Sequence, residues 1–310
     1  MSAWLTEALY PGCPLARWPF LLLGAVVIVI LLLLLRKPKT RAAKKAAILQ
    51  QRPNMNNTAP VVTAQPPSEL PILVDNLQGL GAREDQQDAF GMSSIAEYDE
   101  KGILLTLCDG MGGMHAGGEI ARKAVADILA AFPFREDKLT DWNKAIGALS
   151  RDIRKLYGGQ GGTTLVMCYV RCERLWFWCA GDSDLLLLRE GRLYSVNVRH
   201  EYQNELLSRV LKNELQIEQA TGNPQAGALT SYIGGNELRY SFNRIPLSLR
   251  RGDKLLLCSD GVTDTLPLMR VEELLRLEPG EALRRMEEDI LASNVPTQDN
   301  YTAIVLQCNR

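Results

Sequence analysis

Histidine is almost missing from this chain: its 310 residues contain two, His115 and His200. A zinc centre built on imidazole therefore has too few ligands to assemble. Paired cysteines are missing as well. The seven cysteines stand singly, and Cys108, Cys168, Cys179, Cys258 and Cys308 fall inside apolar runs, where they read as small buried hydrophobes. Only Cys168 and Cys172 are close in sequence, no second pair completes a zinc site, and an odd number of buried thiols suits a reducing compartment. Basic stripes interleaved with aromatics are lacking too. Lys plus Arg is 35 against 36 Asp plus Glu, but six of the cations lie between Arg36 and Lys45, so the rest of the chain carries 29 against 36, a net of −7. An acidic body of this kind has no surface for neutralising a phosphate backbone, which excludes nucleic acid as a partner.

What the chain does have begins with an uncharged, almost wholly apolar run from Trp18 to Leu35. At 1.5 Å per residue this run spans about 27 Å, close to the hydrocarbon thickness of a bilayer. It reads as a single transmembrane helix preceded by a short extracytoplasmic segment, residues 1–17. A cleaved signal peptide fits less well, because the basic residues follow the apolar run and no small-residue cleavage site appears. Six positive charges after the span against Arg17 before it place the C-terminal side in the cytoplasm. The same basic run is suited to anionic lipid. Residues 36–71 continue into a Pro-, Asn- and Gln-rich linker, with Pro53, Pro60, Pro66, Pro67 and Pro71 blocking regular structure. The globular body is expected over residues 72–310, which makes the chain a single-pass protein of the cell membrane with a cytoplasmic domain.

Within the body, apolar spacing predicts helices over Gly118–Phe132, Leu139–Tyr157, Glu205–Gln219 and Glu281–Ala292. Strand-like runs cover Thr163–Val170, Leu175–Ala180 and Leu185–Leu188, joined by tight turns at Arg171–Arg174 and Glu190-Gly191. Strands grouped with strands and helices with helices argue for an α+β fold of packed antiparallel sheets flanked by helices.

Chemistry gathers where apolar runs end in carboxylates. Leu104–Gly113 reads LLTLCDGMGG, and its glycines allow close approach of backbone or metal to Asp109. Leu255–Gly261, LLLCSDG, ends in Asp260, and Asp299 precedes the apolar run Thr302–Leu306. Asp88 in AREDQQDAF and Asp182 in AGDSD complete the candidates. Any one of them alone is an ordinary turn or cap residue. Several negative charges beside apolar runs are costly to bury together unless cations neutralise them. Oxygen-only ligands point to Mg²⁺ or Mn²⁺. Two such ions would activate a water for metal-assisted phosphoester hydrolysis, with Arg83 available as a bidentate fork for the remaining phosphate oxygens. Cys168 and Arg174 have the Cys-x5-Arg spacing of a thiol phosphatase, but the residues between them span a strand end and a turn, not a Gly-rich cradle.

From about Leu80 to Leu306 the chain resembles the metal-dependent PPM (PP2C-type) serine/threonine protein phosphatases in their bacterial form. The resemblance rests on ordered motifs: AREDQQDAF, CDGMGG with GGEIARKAV, GGTTLV, AGDS, LTSYIGG, CSDGVTD and QDNYTAIVL. It implies a PP2C-like four-layer sandwich of two antiparallel β-sheets flanked by α-helices, following the transmembrane helix. It also implies hydrolysis of phosphoserine and phosphothreonine in proteins, with a membrane serine/threonine kinase and its substrates as partners. In that pattern Asp109 bridges two metal ions, the Gly110 carbonyl completes the second site, and Asp260 and Asp299 hold the first. Asp88 reaches the cluster through water, Asp182 with Asp260 matches a third metal position, and Arg83 binds phosphate. Departures from the pattern are Gln86 where Asn is usual, Gln87 where many members have Glu, and Asp184 in place of the Arg after Gly-Asp-Ser. Met111 stands where animal and plant members carry a His proposed as general acid, and that role does not pass to the nearby His115. The segment Ser195–Gly227 matches the family's variable flap and would border the substrate. An inactive phosphoprotein-binding scaffold of the same fold is the alternative, but its mark would be loss of Asp109, Asp260 or Asp299, and all three are present.

Overall fold

In strand β3 (Ile103–Met111) neighbouring side chains leave on opposite faces, and both faces are apolar: Ile103 and Leu105 on one, Leu104 and Cys108 on the other. Such a strand needs a cover on each side, and that requirement organises the molecule. The computed structural model describes residues 71–112, 116–133 and 139–310. The predicted span 18–35, its flanking segments 1–17 and 36–70, and His115 lie outside the described residues. Among the described residues no helix is long and apolar enough to cross a membrane.

One sheet runs in the order β1 (Ile72–Gly79), β12 (Tyr301–Cys308), β11 (Lys254–Cys258), β7 (Asp184–Arg189), β8 (Arg192–Ser195). The other runs β10 (Leu247–Ser248), β6 (Arg174–Ala180), β5 (Leu165–Arg171), β3, β2 (Asp88–Met92), with β4 (Gly162–Thr163) paired to β3 and β9 (Ser241–Phe242) paired to β6. Every pairing is antiparallel. The sheets face each other through Ile103, Leu105, Val166 and Cys168 on one side and Leu185, Leu187, Leu255, Leu257, Ile304 and Leu306 on the other.

Helices close both outer faces. The first, α1 (Tyr98–Lys101), is a single turn before β3. Helices α2 (Ala116–Ala130) and α3 (Leu139–Leu156) place Ile120, Ala124, Ile128, Trp142, Ile146 and Ile153 on the outer face of β3, β5 and β6. In the flap lie α4 (Tyr202–Leu211) and α5 (Ile217–Thr221), and after β11 comes the short α6 (Asp260–Thr263). Then α7 (Leu268–Leu275) and α8 (Pro279–Ala292) cover the other sheet with Val271, Leu274, Leu283, Met286 and Ile290. The expected four-layer α+β sandwich is therefore observed.

The two tight turns have left-handed residues at both central positions, Cys172 and Glu173 at φ 49° and 53°, Glu190 and Gly191 at φ 53° and 75°. Such turns match the twist of the strands they join. The helix expected over Glu205–Gln219 is a correction: it breaks into α4 and α5 around Asn213, whose φ of 59° ends the first helix. The apolar spacing continues across the break, which is why the sequence pattern misses it. Strands β1 and β2 were not visible as strands because Asp75, Asn76 and Gln78 interrupt the first and Gly91 the second.

Leu257 is fully buried between the sheets. Leu257→Ala is expected to cost about 2–5 kcal/mol, the usual range for a buried leucine that leaves a cavity. Urea unfolding checks this, and a loss below about 1 kcal/mol would contradict the central placement of this layer.

Candidate active site

The antiparallel registers bring the carboxylates together. Asp88 opens β2 directly opposite Asp109 near the end of β3. On the other sheet β7 begins at Asp184, opposite Cys258 at the end of β11. Asp182 and Asp260 lie two residues beyond that last pair, and Asp299 stands just before β12. Arg83, Gln87, Asp109, Gly110, Asp182, Asp260 and Asp299 line one open cleft of about 470 Å³, whose other wall includes Met111, Leu229 and Tyr232.

Local packing explains how the chain reaches these positions. A side chain on Gly110 or Gly117 would collide with the backbone of the other, so two glycines let the end of β3 meet the start of α2. Gly261 lies as tightly against the Asn300 carbonyl, joining α6 to the turn before β12. Asn300 accepts from Gln87 N at 2.8 Å and donates to Leu80 O at 2.9 Å, which fixes the loop carrying Arg83. Gln86 donates to Gly79 O at 3.0 Å and accepts from Asp88 N at 2.9 Å, so it serves as a loop brace.

Asp88 is buried, and its Oδ2 accepts from Ser259 at 2.8 Å and Thr302 at 2.7 Å. Asp109 is held from behind: Thr164 Oγ1 accepts its N–H at 2.8 Å, and the Thr164 and Ser183 hydroxyls are 2.9 Å apart. Asn197 extends this line by donating to Ser183 O at 2.9 Å. Arg83 lies against Asp299, with Nη2 2.7 Å from Oδ2. This exposed ion pair is weak and free to exchange.

Electrostatics marks the cleft as short of positive charge. Burial pushes the Asp88 carboxyl up to about 6, with the charges of Asp260 and Asp299 adding to it and hydrogen bonds from Thr302 and Ser259 opposing. Burial likewise holds Asp109 well above the usual carboxylate range, with Asp88, Asp260, Asp182 and Asp299 adding to it. Asp182 rises to about 7 through burial and then Asp260, and Asp260 rises to about 6 through burial and then Asp264 and Asp299. Asp88 Oδ1 and Asp260 Oδ1 are buried with no hydrogen-bond partner. Orphaned carboxylate oxygens in an all-oxygen cluster fit hard divalent cations. Among the described residues no three acidic, imidazole or thiol groups already surround one point as metal ligands do. The fit is thus one of charge and donor type, with Arg83 supplying part of the missing positive charge at Asp299.

All six residues expected to hold metal, Asp88, Asp109, Gly110, Asp182, Asp260 and Asp299, belong to this one region, as does Arg83. Sequence reasoning placed Thr164 only in a strand-like run, and here it braces Asp109. It also passed over Ser259, Thr302, Asn300 and Asn197. Their signal was a polar side chain at an inward position of an apolar run, as at Thr302, which is fully buried. The Cys168–Arg174 pair is excluded as a catalytic centre, because Cys168 is fully buried and burial pushes its thiol well up.

No family model matches the sequence. The serine/threonine protein phosphatase PstP of Mycobacterium tuberculosis is 31% identical over 211 residues, 65% of this chain. The chain spans only 40% of the length of that relative. A crystal structure of the M. tuberculosis serine/threonine phosphatase PstP/Ppp superposes with a TM-score of 0.63 at 26% identity, covering 77% of this chain and 99% of the other. The catalytic domain of PstP in complex with two manganese ions superposes with a TM-score of 0.60 at 24% identity, covering 76% and 97%. The sequence relatives and structural neighbours of this chain are thus bacterial serine/threonine phosphatases, and its fold is PP2C-like.

The raised carboxyls set a pH dependence. The folded-state values for Asp88, Asp182 and Asp260 lie above the ordinary 3.8, so between about pH 4 and about pH 7 the metal-free folded chain holds more protons than the unfolded chain. Their contribution is fully present below the lower value and is lost as pH rises through the upper ones. Thermal unfolding in chelator should therefore show stability falling over that window, with a shallower fall in Asp182→Asn. Parallel profiles for the two proteins would contradict the assignment.

Proposed function

We propose that this chain is a metal-dependent protein phosphatase acting on phosphoserine and phosphothreonine. The observation that carries the reading is the convergence of four aspartates from both sheets in one cleft, with Asp88 buried beside them and a guanidinium at its rim. Asp109, the Gly110 carbonyl, Asp260 and Asp299 would hold two ions, Mn²⁺ or Mg²⁺, with Asp88 behind them and Asp182 with Asp260 at a third position. Bound there, the ions supply a water of lowered pKa and positive charge for the phosphoryl oxygens.

The chain's own groups do the rest. Arg83 leaves Asp299 and takes the phosphoryl oxygens in its planar fork, a change favoured once cations neutralise Asp299. Thr164 and the Ser183–Asn197 line hold the Asp109 backbone in place at the cleft. Met111, Leu229 and Tyr232 present an apolar wall to the phosphorylated residue. Among the described residues no imidazole lines the cleft, and in this reading water protonates the leaving alkoxide.

The apolar run 18–35 and the basic run after it support a second part of the proposal, a single-pass anchor with the phosphatase domain in the cytoplasm. Confinement at a membrane raises the effective concentration of the enzyme toward membrane-bound phosphoproteins, including a serine/threonine kinase and its substrates.

The full chain should hydrolyse a phosphothreonine peptide with Mn²⁺ and stop in chelator. Asp109→Asn should lower turnover by at least about a hundredfold, beyond the usual loss from a group that merely orients a ligand. A folded variant that turns over like the wild type would leave a non-catalytic phosphoprotein-binding module as the better reading. Deleting residues 1–45 should leave turnover of the free peptide unchanged and slow dephosphorylation of a membrane-bound target. Equal loss on both would contradict the anchoring role.

A further inference from the structure

Asp184 is buried at 6% exposure, two residues from Asp182, and so adds another negative charge to a region already crowded with them. Its compensation comes from fifteen residues later. Arg199 Nε is 3.1 Å from Asp184 Oδ1 and Arg199 Nη2 is 2.6 Å from Oδ2, a two-bond fork. The same Nη2 donates to Thr263 Oγ1 at 2.6 Å, and Thr263 Oγ1 in turn donates to Asp184 Oδ2 at 2.8 Å. Nη1 reaches Glu201 at 3.3 Å and Asp264 at 3.4 Å.

This closed triangle sits where the sheet stops holding the chain. The β7–β11 ladder ends at the pair Asp184 and Cys258, and Asp182 and Asp260 lie beyond it. Past the last ladder pair no backbone bond of that ladder fixes the two loops relative to each other. Thr263 ends the single turn α6 that Asp260 begins, so fixing Thr263 against Asp184 fixes the two site carboxylates as well. The backbone beside Arg199 is tied to the same place: His200 N donates to Gly181 O at 2.8 Å, and His200 O accepts from Thr230 N at 2.8 Å. Arg199 thus joins the turn carrying Asp182, the helix carrying Asp260 and the base of the flap.

We propose that Arg199 is a positioning residue that sets the separation of Asp182 and Asp260, and with it the affinity of the cleft for divalent cations, through its junction with Asp184 and Thr263. The inference rests on the metal-dependent reading of the site. Arg199 stays paired with Asp184 and occupies none of the expected ligand positions itself.

The test titrates the full chain with Mn²⁺ and follows the electron paramagnetic resonance signal of free Mn²⁺, alongside thermal unfolding in chelator. Arg199→Gln and Arg199→Lys are compared with the wild type and with the charge-reversed double variant Asp184→Arg, Arg199→Asp. The proposal expects the single variants to lose roughly 10–100-fold in Mn²⁺ affinity, the span typical of removing a group that orients a metal ligand. It expects turnover at saturating Mn²⁺ to fall much less, and the double variant to recover most of the lost affinity. Folded single variants that bind Mn²⁺ like the wild type, or a double variant no better than the singles, would overturn it. Failure of the wild type to bind Mn²⁺ would overturn the metal reading and this inference with it.

Discussion

Mutual repulsion among four aspartates that line one cleft and a fifth, Asp88, buried beside them is the constraint on which the rest of the site depends. Each is delivered by a strand end or the turn beside it, and none can be withdrawn without breaking the registers that hold the two sheets. The fold therefore forces negative charges together, and the surrounding chain limits the cost locally. Ser259 and Thr302 hydrogen-bond Asp88, Arg83 lies on Asp299, and Arg199 offsets Asp184. These compensations leave buried carboxylate oxygens unpaired on Asp88 and Asp260. A divalent cation is the partner whose charge and oxygen preference match what remains.

The same constraint explains the glycines and small polar residues around the cleft. Loops from different sheets approach closely only where Gly110, Gly117 and Gly261 have no side chain to collide. Hydroxyls and amides, not charges, carry the bracing, because another buried charge would worsen the repulsion unless it came with its own partner. Asp184 is the exception, and it comes with Arg199. The positive member of that pair comes from the flap.

Much of this was legible in the sequence, for physical reasons. Apolar runs ending at Asp109 and Asp260 marked strand ends, because a two-sided buried strand must be apolar until it leaves the core. Turn chemistry at Glu190-Gly191 fixed a hairpin, since a left-handed pair there suits few other structures. Less legible were features that depend on what lies across a gap. The partner of Asp184 is distant in sequence, and the Arg83–Asp299 pair joins residues from opposite ends of the domain. Thr164 looked like an ordinary strand residue because nothing near it in sequence reveals that its hydroxyl faces the Asp109 backbone. The break at Asn213 escaped because apolar spacing reports which face a residue occupies, not whether the backbone between two faces stays helical.

The central claim is that the cleft exchanges the Arg83–Asp299 pair and its unpaired carboxylate oxygens for bound cations. Anomalous diffraction from crystals grown with Mn²⁺ tests it most directly. The account predicts two manganese peaks sharing Asp109, one also bound by Asp260 and Asp299, with Arg83 no longer on Asp299. An empty cleft at saturating Mn²⁺ with the Arg83–Asp299 pair intact, or manganese bound only elsewhere on the chain, would contradict it.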